Sequence, residues 1–386
     1  MKLKAADEDA CRTAITLLTE EERAQSGLAA FSHSLDKNVG SQHNCAFLTV
    51  EKRCRVHDTA KPSMCKLFPY TFLHCPDGVR VGLSFASTGV LLNSGEELTE
   101  QLPVLHEMRD LFDGMHPNLA EKNLDRWAQT ELLSGSALDY DDFNKFAQPY
   151  LTRLENLIIS GAVCGPDRVS VQRRDTAQII LSEMSDVLLD SLPPLLLNPL
   201  AKKFGKLNPV KLDQYILVPL YRAFFAAPPP VREDEISGAV MTYLQNEDRD
   251  LYFIVAEKKL SLVDLSAVAI EPFSPEEQDL INRFVYMRLF TRLFFGPGFS
   301  MMPLVSGLFH LSALVVLLQL DQKIDSLRAA PESTEVAPNR FEKLVARMRD
   351  VDRRLTAVVY SRNTGAMFEL FALDPMRLRR FLLMTN

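Results

Sequence analysis

The stretch Leu293–Leu320 reads LFFGPGFSMMPLVSGLFHLSALVVLLQL and holds no Asp, Glu, Lys or Arg. Its length alone would let it cross a bilayer. Gly296, Pro297, Gly298 and Pro303 break its first third, however, and His310 and Gln319 interrupt the rest. No belt of Trp and Tyr and no marked Lys/Arg asymmetry frames it, as flanks at a membrane surface would. The stretch therefore reads as a loop followed by a helix buried in a protein core, and membrane contact is not expected.

Outward from that helix the pattern stays helical. Leu304–Leu327, Glu276–Phe295 and Arg340–Val359 carry apolar residues at helical spacing, as do Gln101–Met115, Leu119–Leu133, Asp141–Ser160 and Asp175–Leu192. Leu212–Phe225 (LDQYILVPLYRAFF) is apolar on nearly every side and should be buried. Pro193-Pro194, Asn198-Pro199 and Pro228-Pro229-Pro230 punctuate the body, and 328–339 reads as a loop. Asp139, Asp141 and Asp142 suit a solvated helix start, and Arg377, Arg379 and Arg380 suit the last turn of a helix. Trp127, the single tryptophan, reads as a core residue. Near the beginning of the chain, a helix is expected from about Asp9, and Thr19 with Glu22 is spaced as a capping box that starts a second short helix within residues 1–30.

Residues 31–95 differ. They are rich in Cys, His, Pro, Ser and Gly, with only short apolar runs. Asp77-Gly78, between FLHCP and VRVGLSF, is a two-residue hairpin signal. The expected fold is mainly α, with a small Cys-rich loop and β-hairpin module packed on a multi-helix body. The expected domains are 1–95 and 96–386.

Composition narrows the function classes. The chain has 386 residues, 47% hydrophobic and 24% charged, which is ordinary for a globular protein and argues against disorder. The 43 Lys and Arg against 50 Asp and Glu give a net charge of −7, so no nucleic-acid partner is expected. The beginning MKLKAADEDACRTAITLLTEEER lacks an apolar core followed by a small-residue cleavage site, so a cytoplasmic location is expected. There is no G-x-G-x-x-G, P-loop, H-E-x-x-H, G-x-S-x-G or C-x3-C-x2-C pattern.

Of 6 cysteines, Cys45, Cys54, Cys65 and Cys75 fall together, and only Cys11 and Cys164 lie elsewhere. In a reducing compartment, clustered thiols favour metal binding or redox chemistry over disulfides. Four thiolates can close the shell of zinc or hold an iron–sulfur cluster. The gaps here are eight, ten and nine residues, not tight C-x2-C knuckles. Spacing alone therefore leaves a metal site and unrelated thiols both open. Lys52, Arg53, Arg55, Lys61 and Lys66 make a basic island around them, and nearby cations favour the thiolate. His33, His43, His57 and His74 are also close in sequence; each taken singly reads as an ordinary polar histidine.

Three matched segments carry a resemblance. They are C45-A-F47-L48, C54-R-V-H57, and K61-P62-S-M-C65-K-L-F68-P69. In this order they resemble the YkgJ-like cysteine-cluster family, a zinc- or iron-chelating domain of bacterial proteins. The resemblance covers residues 11–90. With the hairpin and helical body that follow, the chain looks like the branch that includes flagellin lysine N-methylases. The resemblance implies Cys11, Cys45, Cys54 and Cys65 as metal ligands; Cys75 lies outside the family pattern and is a further metal-ligand candidate, either compensating for a missing thiol or inert. Family members open with a longer run of cysteines, of which Cys11 stands at the last position; the partner cysteines would lie upstream of Met1 or be lost. At 83–90, where the methylase-like branch carries Cys-Pro, this chain has Ala86-Ser87. Three functions follow as expectations. The first is a cysteine-cluster protein binding zinc or an iron–sulfur cluster. The second is a lysine N-methyltransferase that uses S-adenosylmethionine on a protein substrate. The third is a degenerate, metal-free interaction protein.

Overall fold

The computed structural model describes residues 54, 57, 61–163, 176–192, 209–226, 251–255, 257–328, 338–374, 377 and 380. The expected helix from Asp9, the Thr19–Glu22 capping box, the Pro228–Pro230 connector and Cys164 lie outside these residues. In chain order the elements begin with α1 (Ser63–Leu67), β1 (Tyr70–Cys75), β2 (Gly78–Leu83) and α2 (Thr88–Leu91). A 3-10 turn at Leu98–Gln101 leads into α3 (Leu102–Met115), then α4 (Leu119–Trp127), β3 (Glu131–Leu133) and β4 (Ser136–Ala137). Next come α5 (Tyr140–Val163), α6 (Ala177–Asp190) and α7 (Pro209–Tyr221), which runs on into a π-helical turn at Arg222–Ala226. The rest are β5 (Phe253–Val255), β6 (Lys258–Leu260), α8 (Leu262–Ser266), α9 (Pro275–Phe290), α10 (Leu304–Ser326), α11 (Arg340–Ala357) and α12 (Arg362–Ala372). The strands form only two-stranded sheets, β1–β2, β3–β4 and β5–β6. The described chain is thus mainly α.

Two compact units divide the chain: Met1–Thr71 with Glu96–Leu119, and Phe72–Gly95 with Ala120–Asn386. This differs from a cut at residue 95. The reason lies in the side chains: Leu73, Cys75, Phe85 and Leu91 belong to the core of the larger unit.

In the larger unit α10 is the central helix. From Leu304 to Asp321 every residue is buried. It packs against α6, α7, α8, α12 and β3. It is the one described helix long and apolar enough to cross a membrane, and its most apolar stretch is wholly buried inside the protein. Burying each Leu or Val of this kind contributes about 1.5–3 kcal/mol. Around it, α9 packs against α5, α6, α11 and β2. Local chemistry sets the helix starts. Ser274 with Glu277, Asn339 with Glu342 and Ser261 with Asp264 form capping boxes at α9, α11 and α8. Asp139 Oδ1 accepts the N–H groups of Asp141 (2.9 Å) and Asp142 (3.0 Å), so the acidic knot is the start of α5.

Between α9 and α10 the chain folds tightly on itself. Arg292 takes a left-handed backbone (φ 60°), and the Gly296 N–H donates to Met302 O at 2.8 Å. A Cβ on Gly298 would collide with the Arg292 carbonyl, and one on Gly307 with the Phe294 carbonyl. Glycine here allows backbone to lie against backbone.

Three sequence expectations are corrected. The helix expected over Leu119–Leu133 ends at Trp127, and Glu131–Leu133 is a strand. Gly135, at φ 83°, turns the chain there, and Leu138 N–H donates back to Thr130 O at 2.9 Å. The helix expected to reach Phe295 stops at Phe290, where the turn just described begins. The first hairpin turns on Pro76-Asp77, one residue earlier than its Asp77-Gly78 signal, and Gly78 opens β2 at φ 131°.

Candidate metal centre

Pro62 and Pro69 bracket the loop that carries Cys65. Pro62 is the N-cap of α1, and its carbonyl accepts the N–H groups of Cys65 (2.8 Å) and Lys66 (3.0 Å). Phe68 is extended (ψ 131°), because a residue before proline is steered away from the helical region. The helix is therefore held to five residues, of which Leu67 is buried while Cys65 and Lys66 are exposed. Cys54 is half-buried, and its carbonyl accepts the His57 N–H at 3.3 Å, closing a turn that leaves His57 exposed. Cys54 and Cys65 are thiols and fall in the same compact unit. Cys11 and Cys45, like His33 and His43, lie outside the described residues. Among the described residues no group of three or more His, Cys, Asp or Glu could hold a metal ion. The Cys54 and Cys65 thiols are soft donors, but two of them fall short of the four that close a zinc shell or hold an iron–sulfur cluster.

Cys75 stands apart from that pair. It ends β1 in the core of the larger unit and is 4% exposed. Its thiol lies 3.8 Å from Leu73 O. Burial pushes the thiol pKa up, partly offset by a hydrogen bond with Tyr140 and by the charges of Arg80 and Arg292. Burial thus disfavours the thiolate form.

Beside it lies a polar cluster that no sequence motif announced. The Tyr140 hydroxyl donates to Asp77 Oδ1 at 2.7 Å, and burial with the nearby carboxylate pushes the phenol above its usual range. Arg80 pairs with the same carboxylate, and Asn144 Nδ2 donates to its Oδ2 at 3.4 Å. Arg292, 2% exposed, donates to Asn144 Oδ1 (2.7 Å) and Leu289 O (2.6 Å) and lies over the Phe143 ring at 4.8 Å. Asp77 was legible only as a turn residue.

A second unannounced network fixes the segment around Ala86-Ser87. Asp352 Oδ2 accepts the Ser84 hydroxyl (2.7 Å) and the Ala86 N–H (3.1 Å), and its other oxygen pairs with buried Arg288. His74 is buried, and its carbonyl accepts the Trp127 indole N–H at 2.9 Å. Arg377 and Arg380 do not simply decorate a helix end; both reach the buried carboxylate of Asp213.

No family model, curated protein or solved structure matches the chain.

Proposed function

We propose that the chain is a cysteine-cluster protein of the YkgJ-like type. It binds zinc or an iron–sulfur cluster through Cys11, Cys45, Cys54 and Cys65. The observation that carries this reading is Cys65, an exposed thiol on a short helix bracketed by Pro62 and Pro69, in one compact unit with the thiol of Cys54. Lys66 beside it and Lys61 before it supply the positive charge that favours thiolate. Bound zinc cross-links the thiolates, and a bound iron–sulfur cluster adds an electron-transfer centre. Cys75 is left out of the ligand set, because it is closed off in the core of the larger unit, whereas Cys54 and Cys65 belong to the smaller one. The test is elemental analysis with an absorption spectrum on protein purified without oxygen. Brown protein containing iron and sulfide, or colourless protein with about one zinc per chain, supports the reading. Protein with neither metal, after reconstitution with each, rejects it in favour of a metal-free interaction protein.

A second reading is favoured by the order of elements after Pro69, where the hairpin β1–β2 precedes the helical body. In it the chain transfers a methyl group from S-adenosylmethionine to a lysine of a protein substrate. Calorimetric titration with S-adenosylmethionine tests it, and absence of binding removes it.

A further inference from the structure

Among the described residues, Arg292 is a buried cation that meets no carboxylate. It is 2% exposed, and its hydrogen bonds go to neutral oxygens, Leu289 O at 2.6 Å and Asn144 Oδ1 at 2.7 Å. Its Nε–H, closed off from solvent, has no acceptor. Arg288 and Arg377 are buried as well, but each pairs with a carboxylate, Asp352 and Asp213. Burial pushes the Arg292 pKa down, and the charge of Arg80 adds to that. Buried charges in native proteins are ordinarily paired, and a buried donor without an acceptor points to a missing water or ion.

The groups around Arg292 define what is missing. Asp77 is already shared: Arg80 pairs with it, the Tyr140 hydroxyl donates to it at 2.7 Å and Asn144 Nδ2 at 3.4 Å. Cys75 and Tyr140 supply no second anion, because burial raises the pKa of each. Two cations, Arg80 and Arg292, thus face one anion, and the surplus is a single positive charge. Nε–H and one N–H of Nη2 lie along one edge of a guanidinium, the edge that matches the two oxygens of a carboxylate. The cluster reaches the surface: the Asp77 side chain is 35% exposed, and Tyr140 and Asn144 are half-buried. The backbone fixes the guanidinium in advance. Arg292 is left-handed, a strain that ligand clamps commonly carry, and Gly298 lies against its carbonyl. We propose that this cluster is a binding site for a small carboxylate monoanion, held on the Nε–Nη2 edge of Arg292. The ligand supplies the charge that the protein omits, and Asp77 stays with Arg80.

Calorimetric titration of the full chain with formate tests this, together with thermal unfolding in formate, acetate and chloride at constant ionic strength. Formate and acetate are expected to bind saturably and to raise the unfolding midpoint, by about 5 °C at a hundredfold excess over the dissociation constant. Chloride is expected to leave it unchanged. Asn144→Asp keeps Arg292 and the size of the side chain, and it brings a carboxylate to Arg292 from within. Its midpoint is expected to lie above that of wild type without added anion and not to respond to formate. Failure of wild type to bind formate or acetate overturns the proposal. A response that survives in Asn144→Asp overturns it too, because the anion would then bind elsewhere. An equal response to chloride would reduce the effect to one of salt, and a lower midpoint for Asn144→Asp would mean that Arg292 lacks no charge; either result also overturns it.

Discussion

The Arg377 guanidinium lies 2.6 Å from the Asp213 carboxylate with both side chains closed off from solvent, although 164 positions separate them in the chain. Arg380 approaches the same carboxylate at 3.0 Å. One buried anion thus ties the end of the described chain to α7. Removing one partner of a buried pair leaves an uncompensated charge and costs about 3–5 kcal/mol. Asp213→Asn is expected to cost that much. Arg377→Met should cost less, because Arg380 still faces Asp213. Urea denaturation of both variants checks the order; equal losses would mean that Arg380 gives Asp213 no support.

His310 gives the larger unit a pH dependence. It is buried among Phe224, Phe299, Tyr360 and Phe368, and Nε2 lies 3.0 Å from the Tyr360 hydroxyl. Burial, with the nearby charge of Arg288, pushes its pKa down to about 3 from 6.5. The unfolded chain therefore takes up a proton between those values that the folded chain does not. Its contribution is fully present above pH 6.5 and is lost as the pH falls towards 3. Between pH 7.5 and pH 5 this group should account for about 2 kcal/mol of lost stability. Denaturation curves for wild type and His310→Gln at both pH values isolate it. Parallel losses in the two proteins would count against the assignment.

The thiols should separate by role. Cys75→Ala is expected to leave metal content unchanged and to cost about 1–2 kcal/mol through the small cavity left in the core. Cys65→Ser is expected to abolish metal uptake. Its effect on the larger unit should be negligible, since Cys65 lies exposed in the smaller one. Metal analysis beside thermal unfolding reads both. Loss of metal from Cys75→Ala with the fold intact would put Cys75 in the ligand set.

Three glycines should respond in opposite directions. Gly298→Ala and Gly307→Ala push a methyl group into backbone carbonyls and are each expected to cost about 3 kcal/mol. Gly114, inside α3, has open space where a Cβ would go. Gly114→Ala should stabilise its helix by about 0.5–1 kcal/mol. Unfolding midpoints of the three variants decide the point.

The parts of this fold that were legible in the sequence are those set by local pattern. The apolar run after Pro303 and the breakers before it foretold α10 and the turn that leads into it. The spacing around Trp127 and Phe143 foretold α4 and α5, though not their ends. Short elements went unread: three residues such as Phe253–Val255 carry too little periodicity to stand out from a loop. Long-range polar pairing was invisible for a different reason. Nothing near Asp213, Asp77 or Asp352 states which arginine will reach it, because the partner is chosen by the packing of other elements. The role of Cys75 was likewise undecided by spacing. The last four residues of β1 are all buried, so strict alternation does not apply to it. Of the thiols singled out, Cys54 and Cys65 fall among the described residues of one unit, while Cys11 and Cys45 lie outside them.

The central position of α10 also bears on biosynthesis. Its partners lie on both sides of it in translation order: α6 and α7 leave the ribosome earlier, α12 later. Phe368 of α12 meets the rings of Phe309 and His310. A nascent chain that has reached only Ser326 therefore presents an apolar helix whose last wall has not been synthesised. The larger unit cannot close its core co-translationally from the front. Until Arg362–Ala372 has emerged, the apolar residues 304–320 lack the Phe368 contact that completes their surroundings, the kind of incomplete core that makes a partly folded chain prone to aggregate.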